Sequence, residues 1–173
     1  MAIRKILTEP DPFLRQISYV VKKVDNEIRK LMDDMLETMY LAPGIGLAAI
    51  QIGVPKRVIV IDLSKEEKKK PLYFVNPHIV VKSKNNATYE EGCLSVPGQF
   101  AEVDRPDKCH VSFLDYNGQP KELKAEGLLA TCIQHEIDHL EGILFIDYLS
   151  KLKKNYITKK LSKQKKVLER IVV

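Results

Sequence analysis

One stretch near the end of the chain, His135-Glu136-Ile137-Asp138-His139, limits what the rest can become. It lies within a mainly apolar run from Leu128 to Leu144. Residues four apart on an α-helix differ by about 40° in rotation and about 6 Å in rise, so His135 and His139 can reach one metal ion. Glu136 falls roughly 60° round from His139, where its carboxylate can reach a water on that metal. The spacing predicts a helix from Gly127 to about Gly142, with Leu129, Ile133, Ile137 and Leu140 as one apolar stripe. Leu128 and Cys132 fall on the histidine side. Apolar residues on both sides predict a buried helix. Buried imidazoles and carboxylates need partners, and a metal would supply one. The competing reading is a core helix that carries two histidines and two acids by chance.

A catalytic site of this kind needs three protein ligands and an open position. The extended pattern H-E-x-x-H-x-x-G-x-x-H is not met: Gly142 fits, but Phe145 stands at the third histidine. Glu141 is too close to serve, and Glu169 lies in a basic tail. Cys132 is about 10 Å along the helix axis from His139, too far for one metal to join it to both histidines. Cys93 and Cys109 remain. Cys109 opens an alternating, strand-like segment and reads as core. Cys93 sits between Gly92 and Pro97, in irregular backbone that can aim a side chain, and is favoured. An odd count of three cysteines fits a reducing compartment better than a disulfide framework.

The chain in front of this helix reads as α+β. Residues 1–24 form an irregular arm, with a turn at Pro10-Asp11-Pro12 and Val20, Val21 and Val24 able to pack down. Asp25 is the expected N-cap of a helix over residues 25–41, with Ile28, Leu31, Met32, Met35, Leu36 and Met39 on its buried face. Gly44–Gln51 is a tight turn of small residues ending in an amide. Strands are predicted at Arg57–Leu63, Leu72–Val75, His78–Lys82 and Cys109–Tyr116, and Asn117-Gly118 signals a hairpin that returns along Lys121–Ala125. Ser64–Lys70 reads as a solvated loop, and Tyr89–Gly98 as irregular. From Ser150 a long basic helix follows, with Leu152, Tyr156, Leu161 and Leu168 as a thin apolar stripe. The expected fold is one domain, 1–173, of mixed, mainly antiparallel sheets packed around a buried metal-binding helix.

The net charge of +5 is uneven. Residues 151–170 hold nine Lys or Arg and one Glu, a balance of +8, which leaves −3 for the remainder. A basic helix suggests contact with RNA or another polyanion, against the plainer reading of a docked helix with a solvated lysine face. The start of the chain lacks a signal-peptide core and no apolar run has the length of a membrane span, so a cytoplasmic protein is expected.

Three separated motifs resemble the peptide deformylases: GIGLAAIQ (Gly44–Gln51), EGCLS (Glu91–Ser95) and QHEIDH (Gln134–His139). The arm and the C-terminal helix are similar to the bacterial type 1 form. The resemblance implies an enzyme that removes formyl from the N-terminal formylmethionine of new bacterial or organellar proteins. It implies one divalent metal ion on Cys93, His135 and His139, expected to be Fe(II), with zinc, nickel or cobalt able to substitute. Glu136 would be general base and acid, and Gln51 and the Leu94 backbone N–H would hold the developing oxyanion. Ile45, Gly46, Tyr89, Leu128 and Cys132 would bind the substrate, and Glu91 would support the site by pairing with Arg105. Formylmethionyl peptides are the expected partner, with ribosome contact through the basic helix and a monomeric state. One departure stands out: Phe100 occupies a position where many relatives carry arginine.

Two other classes compete. A non-catalytic RNA- or ribosome-binding protein would hold a structural metal, but such sites are normally closed by four ligands. A general metallopeptidase would cleave unformylated peptides.

Overall fold

The computed structural model describes residues 2–64 and 68–171, with side chains as far as Val167. Residues 65–67 of the predicted loop, and the side chains of Leu168 and Glu169, lie outside the described residues. Among the described residues, three α-helices, α1 (Asn26–Leu41), α2 (Gly127–Leu140) and α3 (Lys151–Ile171), accompany seven strands. These are β1 (Gly46–Ala48), β2 (Val58–Ile61), β3 (Leu72–Lys82), β4 (Asn86–Cys93), β5 (Val96–Pro106), β6 (Lys108–Leu114) and β7 (Pro120–Glu126). One five-stranded sheet runs in the order β1-β2-β3-β6-β7, and β4 and β5 form a separate two-stranded sheet. Every named pairing is antiparallel.

The apolar run Val58-Ile59-Val60-Ile61 is buried along its whole length because the sheet is covered on both faces. Val58 and Val60 pack with Met32, Met35 and Met39 of α1. Ile59 and Ile61 face the other way, onto Ile133 and Leu140 of α2. Helix α1 starts as expected: the Asp25 carboxylate accepts from the Ile28 N–H at 3.0 Å. A third cluster joins β5 to the chain's end, with Val96, Ala101 and Val103 against Leu144, Phe145, Ile146, Ile157 and Leu161. Each fully buried aliphatic side chain in these clusters contributes about 1.5–3 kcal/mol.

Several local expectations give way. Gly46–Ala48 is a strand on the sheet edge, followed by a 3-10 turn at Ala49–Ile52, where a single turn was expected. The predicted pair of strands around Asn76-Pro77 is one strand, β3, with a register shift between Val75 and His78. Tyr89–Gly98 is a β-hairpin: Gly92, Pro97 and Gly98 lie within its strands, beside a register shift at Gly92/Cys93. Val20 is exposed, whereas Val21 and Val24 are buried. Of the expected stripe Leu161 is buried, whereas Leu152 and Tyr156 are exposed; α3 docks through Leu161 and Ile157, four residues apart. No helix among the described residues is long and apolar enough to cross a membrane.

Candidate metal centre

The site forms where α2 meets the β4–β5 hairpin and the turn after β1. Burial of α2 on both sides fixes His135, Glu136 and His139 against the sheet. The bulge at Gly92/Cys93 ends β4 at Cys93. There its Sγ lies 3.2 Å from His139 Nε2. One ligand atom each from Cys93, His135 and His139 fall within 4.8 Å of one another. Cys109 is buried in the core, as predicted. A thiolate with two imidazoles suits Fe, Co, Ni or Zn and not calcium or magnesium, which favour oxygen donors. The donor set therefore fits a divalent transition metal.

Glu91 and Arg105 orient the ligands. Glu91 Oε2 meets His135 Nδ1 at 2.8 Å, which leaves Nε2 as the free ring nitrogen. The guanidinium of Arg105 donates to both Glu91 oxygens, at 2.6 and 3.1 Å, and to Asp138 at 2.7 Å. Tyr148 donates to Asp138 at 2.8 Å and lies under the guanidinium. Burial works against ionisation of Glu91, but the bonds to His135 and Arg105 outweigh it and hold the carboxyl below its ordinary range. Both Glu91 oxygens are thus engaged within the protein, one of them holding His135. Phe145, at the position where the extended motif would have a third histidine, is in the core with its ring stacked 6.2 Å from that of His135.

Glu136 is nearly enclosed, and its Oε2 has no hydrogen-bond partner. Burial pushes its pKa up to about 7. Burial also holds His139 well below its ordinary value, so its imidazole is neutral, as ligation requires. Gly46 makes room for Glu136: a Cβ there would run into Oε1 and come within 3.1 Å of Cys132 Sγ.

A cavity of about 480 Å³ opens over these residues. Ile45, Gly46, Gln51, Tyr89, Glu91, Leu94, Leu128 and Cys132, all named from sequence, line it together with Cys93, His135 and Glu136. Gln51 is held by its own turn, its Oε1 accepting from Ala48 N–H at 2.8 Å. Its Nε2 points to Ser95 Oγ at 3.0 Å and to Cys93 Sγ at 3.5 Å. The N-terminal arm straps both turns down, Leu7 N–H donating to Gln51 O and Glu9 N–H to Ser95 O.

Sequence reasoning passed over Ser95, Asp138 and Thr131. The first two stand inside the quoted motifs. Thr131, which also lines the cavity, lies one helical turn before His135.

A thiolate and two imidazoles beside an enclosed glutamate, at the floor of a cavity, define a metal-dependent hydrolase. The comparisons with known proteins narrow that class. The model of the family described as polypeptide deformylase matches residues 3–155. A peptide deformylase of Pelagibacter ubique is 68% identical over 176 residues, covering 100% of both chains. One from Phenylobacterium zucineum is 62% identical over 167 residues, covering 96% of this chain and 99% of its own. Among solved structures, the peptide deformylase of Ehrlichia chaffeensis in complex with actinonin matches with a TM-score of 0.91 at 46% identity, covering 95% of this chain and 98% of that one. The chain belongs to the polypeptide deformylase family. That family removes the N-terminal formyl group from nascent peptides and uses a divalent metal.

Proposed function

We propose that this chain hydrolyses the formyl group of N-terminal formylmethionine in new proteins, releasing formate, with Glu136 as general base and acid. The observation that carries this reading is the enclosed, unpartnered Glu136 Oε2 beside the Cys93/His135/His139 donors. Those three residues would hold the ion, His135 through the ring nitrogen that Glu91 leaves free. When bound, the ion, proposed to be Fe(II), supplies the Lewis acidity that brings a water toward hydroxide near neutral pH. Glu136 takes a proton at Oε2 and returns it to the departing amine. Gln51 Nε2 and the Leu94 backbone N–H donate to the oxygen on which charge develops. Ile45 and Gly46 pair with the extended peptide through their backbones, and Tyr89, Leu128 and Cys132 wall the slot for the methionine side chain.

The test is anaerobic purification, with metal content and formate release from a formylmethionyl peptide measured on one sample. Stoichiometric metal with formate release is expected. A metal-loaded, folded protein that releases no formate overturns the reading, and cleavage of an unformylated peptide would favour the general peptidase.

The lysine-rich face of α3 supports a second element, contact with the ribosome. Deleting the helix would uncover Val96 and Phe145, which pack in the same cluster as Ile157 and Leu161. The cleaner test changes the exposed Lys153, Lys159 and Lys163 to Glu. Weaker ribosome binding at low salt is expected, and unchanged binding rejects the contact.

A further inference from the structure

The two groups proposed to hold the oxyanion stand on separate sheets. Gln51 follows β1 of the five-stranded sheet, and Leu94 lies in the turn between β4 and β5 of the smaller one. Their spacing is therefore not set by a shared strand ladder, and the N-terminal arm bridges them. Leu7 N–H donates to Gln51 O at 2.7 Å, and Glu9 N–H, two residues on, donates to Ser95 O at 2.8 Å. The arm is tied down on either side of these bonds. Before them, Arg4 donates to Asp34 of α1 at 2.8 and 3.1 Å. Beyond them, Arg15 donates to Asp147 at 2.5 Å through one nitrogen, and through the other to the Glu9 carboxylate at 3.4 Å. Glu9 is buried and does not line the cavity.

We infer that Glu9, held by Arg15, is a positioning residue for catalysis: it fixes the arm on Ser95 and so sets Leu94 N–H and Gln51 Nε2 relative to one another. This inference rests on the proposed deformylase reaction. Ser95 is fully buried and its Oγ lies 3.0 Å from Gln51 Nε2, so a shift of its turn moves both donors. Donors aimed at a developing charge lose more in the transition state than in substrate binding when they are displaced. Release of Glu9 therefore lowers kcat and leaves KM and the metal ligands alone. Glu9 touches neither substrate nor metal and acts through Ser95.

The experiment measures kcat and KM for a formylmethionyl peptide on metal-loaded protein, together with amide hydrogen exchange at positions 7 and 9. Glu9→Ala is expected to speed exchange at both positions by about 10-fold or more and to lower kcat by about 5- to 20-fold, with KM and metal content unchanged. Glu9→Gln keeps an acceptor for Arg15 and is expected to stay within about 3-fold of the unaltered protein in exchange and kcat. Arg15→Met, which leaves Asp147 paired with Lys154 at 2.6 Å, is expected to match Glu9→Ala and serves if that variant does not fold. Placed in Gln51→Ala, where one donor is already gone, Glu9→Ala is expected to cost less than in the full enzyme. Unchanged exchange in Glu9→Ala overturns the inference, as does faster exchange with unchanged kcat or an equal cost in the Gln51→Ala background. Absence of formate release by the unaltered, metal-loaded enzyme instead defeats the deformylase reading beneath it, while exchange still reads the hold of Glu9 on the arm.

Discussion

Replacing Gly46 by alanine tests whether the space in front of Glu136 is part of the machinery. The added Cβ would lie 2.9 Å from Glu136 Cδ and overlap Oε1 outright, whereas ordinary carbon contacts begin near 3.4 Å. Relief cannot come from the strand alone, because Gly46 is paired with Ile61 on β2. The carboxylate must therefore move by about 0.5–1 Å, and a misplacement of that size costs up to about 100-fold in rate. Overpacking of this kind also destabilises by about 1–3 kcal/mol. The assay is formate release by the metal-loaded variant, with thermal unfolding and metal content followed in parallel. The expected result is full metal occupancy, a modestly lower Tm and kcat reduced by about 10- to 100-fold. Wild-type kcat would refute the argument that Glu136 needs its present position. So would a loss of activity that tracks loss of metal, since that would place the damage at the ligands.

Glu136→Gln should keep the fold and the metal and lose about 100- to 10,000-fold in kcat, the usual worth of a general base, read from the same formate assay. Glu91→Ala should leave His135 Nδ1 and Arg105 unpaired and weaken metal affinity by about 10- to 100-fold, as measured by competition with a chelator. Asp34 gives a prediction for acid stability. Burial opposes its ionisation, but bonds from Arg4, the Ala2 N–H and Lys30 outweigh that and hold its pKa at about 2. A depressed carboxyl pKa adds stability that is complete above about pH 4 and lost as pH falls toward 2. Because Arg4 is half exposed and screened, the contribution is roughly 1–2 kcal/mol. Denaturant melts of Asp34→Asn should therefore lie below wild type at pH 7 and converge with it near pH 2.

Much of the centre was legible because helical geometry is local. His135, Glu136 and His139 stand out by spacing alone, and Cys93 is favoured once Cys132 is excluded by reach and Cys109 is read as core. Gln51 was not legible by that route: its amide gains meaning only when the fold sets it beside Cys93 and Ser95, across 42 positions of sequence. The same limit explains the misread hairpin. Gly92, Pro97 and Gly98 signal broken backbone in isolation, yet the pairing of β4 with β5 on either side of them keeps all three within strands. On α3 the apolar residues are real but their phase is ambiguous. Leu152 is as hydrophobic as Leu161, and only the positions of β5 and of Leu144–Ile146 decide which of them is covered.

The clasp between Arg105, Glu91, Asp138 and His135 has a consequence for how the protein is made. Cys93 leaves the ribosome well before His135 and His139, on a hairpin that shares no hydrogen-bonded edge with the larger sheet. A single thiolate holds an ion weakly, so a tight site needs α2 as well, held to the hairpin by Arg105 through Glu91 on β4 and Asp138 on α2. The three donors come together only where α2 meets the hairpin, across 42 and 46 positions of sequence. The clasp thus ties the assembly of the donors to the docking of α2 on the β4–β5 hairpin.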